Sequence, residues 1–79
     1  MHIAYVLYSE SSGKHYYGYT TDIEVRLNFH NDLGDGFTKR YRPWKVIYTK
    51  AFENKKEAMN YEKWLKSGVG REFVKSLAH

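Results

Sequence analysis

The sequence has no cysteine, only one proline, and no long apolar run. Without thiols there is no disulfide framework and no thiolate metal site of the zinc-finger kind. No stretch approaches the ~18 consecutive apolar residues of a membrane span, and nothing resembles a leader peptide, so a soluble cytoplasmic protein is the expectation. The HxH and HExxH spacings are missing, as are clustered aspartates, which argues against a zinc hydrolase or a two-metal nuclease core. Acidic side chains are also in the minority. Nine Asp and Glu face thirteen Lys and Arg, a formal net charge of +4.

What the sequence does have is aromatic and basic. A chain of 79 residues forms one domain with a modest core, so several aromatics, some of the eight tyrosines among them, have structural work to do. The charge is uneven: residues 1–30 hold two Lys or Arg against three Asp or Glu, and residues 31–79 hold eleven against six. Lys39, Arg40, Arg42 and Lys45 fall within seven residues. Such a patch suits a polyanion, nucleic acid above all, although a solvated basic surface kept for solubility has the same appearance.

Residues 2–8 (His-Ile-Ala-Tyr-Val-Leu-Tyr) are β-branched, aromatic and almost continuously apolar, which predicts a central strand. Period two puts Ile3, Tyr5 and Leu7 on one face and Ala4, Val6 and Tyr8 on the other. A turn at Gly13 returns the chain into a second strand over 14–19, so that Tyr5 and Tyr16 stand near one another across a hairpin. Thr21 or Asp22 then caps a helix over 22–33. Val25 and Phe29 give this helix a second apolar flank beside Ile23, Leu27 and His30, as expected of a helix held between the sheet and another element. Residues 31–43, interrupted by Gly34 and Gly36, read as a binding loop. A third strand follows over 44–52.

Asn54 and Glu57 form a capping box for a second helix with Ala58, Tyr61 and Leu65 buried, ended by Gly68 and Gly70. A short last helix spans 71–77. The whole reads as one α+β domain over 1–79 in the order β-β-α-β-α-α.

A polar set follows from these elements: Tyr5 and Tyr16 on adjacent strands, Arg26 and His30 one helical turn apart, and Glu62 on the second helix. Phosphodiester cleavage needs a group to activate water, positive charge for the developing phosphorane, and commonly a carboxylate-held divalent ion. Arg26 suits the second role through its planar donor fork. Glu62 suits the third, and one carboxylate is enough for Mg²⁺, which keeps several waters. Each residue also has a structural reading. The tyrosines can be sheet packing, Arg26 a partner of Asp22 or Glu24, His30 a helix-end residue, and Glu62 the partner of Lys66.

Taken in order, these residues resemble the GIY-YIG nuclease domain, closely its small stand-alone members. Ile3-Ala4-Tyr5 stands for the first hallmark triplet, keeping only its tyrosine, and Tyr16-Tyr17-Gly18 stands for the second. The run from Gly18 to Asn31 carries the family's arginine and histidine as Arg26 and His30. The stretches Thr38-Lys39-x-x-Arg42-Pro43-Trp44-Lys45 and Glu57-Ala58-x-x-x-Glu62-Lys63-x-x-Lys66 match the stand-alone group.

The resemblance implies a three-stranded antiparallel sheet flanked by helices and a one-metal endonuclease using Mg²⁺ or Mn²⁺. It implies Tyr5 as general base or water-positioning group assisted by Tyr16 and His30, Arg26 at the transition state, and Glu62 as metal ligand. Substrate contacts are expected at Gly18, Lys39, Arg40, Arg42 and Lys45. The expected substrate is nucleic acid, DNA before RNA, recognised by structure and not by sequence. A homodimer or a partner protein would supply further recognition surface. The alternative is a catalytically weak nucleic-acid-binding or adaptor module that keeps the nuclease fold.

Overall fold

The computed structural model describes residues 1–33 and 36–77; Gly34, one of the two expected breaks, lies outside them. The apolar run at the N-terminus forms β1 (His2–Ser9), the middle strand of an antiparallel sheet. β2 (Lys14–Thr20) and β3 (Lys45–Phe52) pair with it on either side, in the order β2-β1-β3. A strand buried on both faces needs consecutive apolar residues, and Ala4, Tyr5, Val6 and Leu7 are all at most 1% exposed. Between Val6 and Leu7 the β1–β3 register shifts, with Val6 opposite Tyr48 and Leu7 opposite Val46. The bulge leaves Val46 with one face of the sheet and both Ile47 and Tyr48 with the other.

Each face has its own core. On one, Tyr5, Leu7 and Trp44 pack with Tyr16, Ile23 and Leu27. On the other, Val6, Leu65 and Val74 pack with Tyr17, Tyr61 and Phe73. The architecture is the expected α+β one, a three-stranded antiparallel sheet flanked by helices.

The first helix differs from expectation. α1 (Ile23–Asn28) is capped by Asp22, whose carboxylate accepts from the Val25 N–H at 3.2 Å, but it buries no residue fully and leaves Val25 64% exposed. It is a surface helix with one inward flank, not one held between two elements. From Phe29 to Leu33 the chain continues as a π-helical turn. That wider turn changes which side chains face inward, and His30 is 2% exposed.

The expected binding loop also proves more structured, since it contains α2 (Gly36–Arg40). Asn31 ties its two ends together. The Asn31 amide accepts from the Trp44 backbone N–H at 2.5 Å and donates to the Trp44 carbonyl at 3.1 Å. The indole N–H of Trp44 in turn donates to the Thr38 carbonyl at 2.8 Å.

α3 (Lys55–Lys66) starts as expected, with Asn54 accepting from the Glu57 N–H at 2.9 Å. Gly68 and Gly70 do not end it, however. They lie in the first turn of α4 (Gly68–Lys75), and Ser67 serves as the C-cap of α3 and the N-cap of α4. Gly70 is buried because α4 begins directly against the α3 backbone, and a Cβ there would overlap the Trp64 carbonyl and the Leu65 Cα. The glycine serves a close approach and not a stop signal. Gly70→Ala is therefore expected to cost about 1–3 kcal/mol as the helix corner shifts. At this size each kcal/mol lowers Tm by roughly 4–8 °C. An unchanged melting temperature would show that the corner tolerates a methyl group.

Candidate functional site

The hydroxyl of Tyr5 sits where β1, α1 and the π-helical turn converge. Tyr5 lies directly opposite Gly18 on β2, and a Cβ at Gly18 would fall 2.5 Å from that hydroxyl. Gly18 thus makes room for the phenol, a reason distinct from strand bending or approach by a ligand. Arg26 Nε donates to the Tyr5 oxygen at 3.4 Å, and that oxygen lies 3.1 Å from His30 Nε2. A guanidinium only donates, so the phenol oxygen accepts from Arg26 and has its own proton to give to His30. Nε2 of His30 is the acceptor when the imidazole proton sits on Nδ1. The structural alternative for Arg26 does not hold, since it turns toward Tyr5 and the Phe29 ring, 5.2 Å from its guanidinium carbon.

Tyr16 completes the cluster. Its ring is stacked on Tyr5 with centroids 6.4 Å apart, and it meets His30 at 4.7 Å and Trp44 at 6.2 Å. These rings are also core, so the packing reading and the site reading hold for the same atoms.

Tyr5, Tyr16, Gly18, Arg26, Glu62 and Lys66 line a cleft of about 360 Å³. All five expected site residues converge here, four on the cleft wall and His30 in the buried layer behind Tyr5. Among the expected substrate contacts, Gly18 lines the cleft, but Lys39, Arg40, Arg42 and Lys45 do not. Arg42 donates to the carbonyls of Asn31 and Asp32 at 3.3 and 3.4 Å, and Lys45 pairs with Glu10. These two basic residues already have structural partners. Lys66 is the cleft residue that sequence reasoning treated only as a surface partner, although its i, i+4 relation to Glu62 placed it on the same helix face.

Burial pushes the Tyr5 phenol above its ordinary value of 10.0, and the hydrogen bond and charge of Arg26 only partly offset this. Tyr5 therefore holds its proton at neutral pH more firmly than a free tyrosine. An unassisted phenolate base is disfavoured, and any proton leaving Tyr5 has His30 as its neighbour. For Arg26 the hydrogen bond to Tyr5 outweighs desolvation and raises its value, so the guanidinium stays charged.

Among the described residues Glu62 is the only carboxylate on the cleft wall. Its side chain is 16% exposed and accepts an ion pair from Lys66 Nζ at 3.0 Å. Among the described residues no three His, Cys, Asp or Glu cluster as metal ligands. One carboxylate facing an open polar cleft fits a hard divalent ion that keeps most of its water, and not a dehydrated all-protein site.

Two outcomes follow. In the folded state Tyr5 binds its proton more tightly than in the unfolded chain, so its contribution to stability is full below pH ~10 and is lost as pH rises further. Tyr17 shifts the same way by burial, and Tyr61 is pushed up to about 12. Denaturant titrations should show wild-type stability falling above pH ~10, less steeply in Tyr5→Phe; equal slopes would show that the Tyr5 phenol ionises freely. Lys66→Met should also strengthen Mn²⁺ binding, read by electron paramagnetic resonance, roughly two- to fivefold, the worth of a half-exposed ion pair. Glu62→Gln should abolish that binding. Weaker binding in Lys66→Met would show that the lysine does not compete for the carboxylate.

Comparison with known proteins agrees with this geometry. Residues 1–73 match the model of the GIY-YIG catalytic domain. A UPF0213 protein of Streptococcus agalactiae serotype V is 47% identical over 53 residues, covering 66% of this chain and 60% of its own length. The chain thus spans less than two thirds of that relative. A UPF0213 protein of Lactococcus lactis subsp. cremoris is 40% identical over 72 residues, covering 90% of this chain and 72% of its own. The solution NMR structure of the UPF0213 protein BH0048 from Bacillus halodurans superposes with a TM-score of 0.56 at 35% identity, covering 95% of this chain and 82% of that one. With the match running from the first strand into the last helix, over both tyrosines, Arg26, His30 and Glu62, the chain belongs to the GIY-YIG catalytic-domain family.

Proposed function

We propose that this chain is a nucleic-acid-binding module whose cleft engages a phosphodiester of the backbone. The observation that carries this reading is the pairing of a permanently charged Arg26 with a polar, open cleft in a protein of net charge +4. A guanidinium has five N–H donors, and its contacts with Tyr5 and Tyr16 use only some of them, so others can meet a phosphate. The comparisons support binding at least as well as cleavage. The names of the relatives give the label UPF0213 and state no activity.

A second reading, metal-dependent hydrolysis in the same cleft, rests on a specific observation. Binding alone does not need a buried tyrosine hydroxyl held between an arginine and a histidine. In this reading the attacking water gives its proton to the Tyr5 oxygen as Tyr5 gives its own to His30, a new P–O bond forms as the bond to the leaving oxygen breaks, and Arg26 faces the charge that builds on the phosphorane. Tyr16 packs Tyr5 and His30 in place. Glu62 would hold one Mg²⁺ or Mn²⁺, released from Lys66, and the ion would supply Lewis-acid stabilisation of the phosphoryl oxygens. DNA is favoured over RNA by the resemblance alone. Recognition by structure and not by sequence is what the resemblance implies, with contacts to the backbone positioning the strand.

The deciding experiment incubates wild type, Arg26→Ala and Glu62→Gln with labelled branched, flapped, single-stranded and duplex DNA and with RNA, with and without Mn²⁺. Arg26→Ala should weaken binding of every substrate. Cleavage that needs metal, is lost in Glu62→Gln and falls about 10²–10³-fold in Arg26→Ala would establish the hydrolase. Binding without cleavage would leave the binding module. No binding by the wild type to any of these would overturn both readings.

A further inference from the structure

The cleft does not end at Glu62. β2 is an edge strand, and a second concavity of about 310 Å³ lies along it toward its N-terminal end, lined by Lys14, His15, Tyr17, Arg71 and Lys75 among others. Tyr17 lines both hollows. The two are also joined through Arg71, whose Nε donates to the carbonyl of Lys66, the lysine on the cleft wall, at 3.0 Å. Arg71 anchored by Nε still has its two terminal amino groups to present, and its charge reaches the Tyr17 phenol. Among the described residues no carboxylate lines the second hollow; the nearby acid is Glu72, 4.0 Å from Lys75 with both side chains largely exposed.

Following the strand further, Lys14 Nζ stands 5.2 Å over the Tyr41 ring, which the Arg40 guanidinium also approaches at 5.9 Å. Arg26 and Lys66 thus line the first hollow, Arg71, Lys75 and Lys14 the second, and Lys14 shares the Tyr41 ring with Arg40. Seven residues of strand measure roughly 20 Å at ~3.4 Å per residue.

Resting on the nucleic-acid reading above, we infer that a nucleic-acid strand leaves the cleft along the outer edge of β2, its phosphates held by Arg71, Lys75 and Lys14. This assigns the backbone path to a groove formed by the hairpin and the α3–α4 corner. The cluster at 39–45, which the sequence made the obvious surface, contributes only Arg40 at the far end of that path. Arg42 and Lys45 are occupied with Asn31, Asp32 and Glu10. Lys39 lies on α2 with its side chain exposed and lines neither hollow.

The test measures binding of a fluorescent single-stranded DNA and a fluorescent single-stranded RNA by anisotropy across a salt series. The proteins are wild type, Arg71→Gln/Lys75→Gln, Lys14→Gln/Lys75→Gln, and the control Lys50→Gln/Lys56→Gln, which removes the same charge away from the groove. Each lost phosphate contact should make the slope of log K against log salt shallower by about 0.7 for a single strand, so about 1.4 for each groove pair. Affinity should fall roughly tenfold or more at low salt, and the control should change far less.

The Lys14 and Lys75 pair leaves the Arg71 hydrogen bond intact, so its effect is independent of the helix corner. A wild type that binds while both groove pairs keep its slope would overturn the path and leave the nucleic-acid reading standing. So would a control that falls as far as the groove pairs. No binding by the wild type overturns the path together with that reading.

Discussion

The phenol of Tyr5 has to be buried and polar at once, and most of this small structure follows from that requirement. A hydroxyl taken out of water costs about 1–3 kcal/mol unless it is hydrogen-bonded. Arg26 from α1 and His30 from the π-helical turn meet the cost from two directions. Arg26 reaches it from inside α1, and His30 from the π-helical turn that follows Asn28. The phenol reaches the cleft only because its cross-strand neighbour is glycine. One oxygen atom therefore couples the middle strand, the edge strand and the first helix. The same constraint fixes the sign of its chemistry: burial that locks Tyr5 in place also holds its proton, so any basic role depends on His30.

Much of this was legible before the structure. β1 could be read because a strand buried on both faces has no polar side, and residues 3–7 offer none. The α3 cap was legible because Asn54 and Glu57 stand three apart and form a local hydrogen bond that needs no tertiary partner. The five site residues were legible as a set from order and spacing, and the resemblance gave that set its roles. What escaped was decided by tertiary contacts. Gly68 and Gly70 carry the residue type of a helix stop, and only the proximity of the α3 backbone shows that Gly70 serves a helix start. Val25 looks inward by type and faces out, because Ile23 and Leu27, four apart, take the inward flank of α1 and Val25 falls on the opposite side. Asn31 looks like loop polarity and is the clamp that sets the Trp44 backbone. No periodicity reports such a bond, because its partner lies thirteen residues away.

The basic residues show a related limit. Composition counts charges, but a cation contributes to a binding surface only with the donors its own fold leaves over. Arg42 gives donors to two carbonyls of the π turn, and Lys45 is held by Glu10 across the sheet. The densest cluster in the sequence is in this sense partly structural. Arg71 and Lys75 are four apart on α4, unremarked among eleven other cations, yet they lie beside the cleft because Ser67 turns α4 back along α3.

Glu62 and Lys66 draw these points together. A carboxylate that is mostly buried must be paired or ligate a cation, and this one is paired by a lysine one turn away. The ion pair stabilises the empty cleft at the expense of whatever cation the carboxylate would otherwise hold. If a divalent ion takes Glu62, the Lys66 ammonium is displaced but not lost, because its side chain is half-exposed and can turn toward the groove that Arg71 continues. Metal entry and backbone binding then favour one another: the ion frees a cation for the phosphates, and the phosphates offer the displaced cation a partner. With one carboxylate among the described residues of the cleft wall, such an exchange would let the same two side chains serve the folded protein and a ligand in turn.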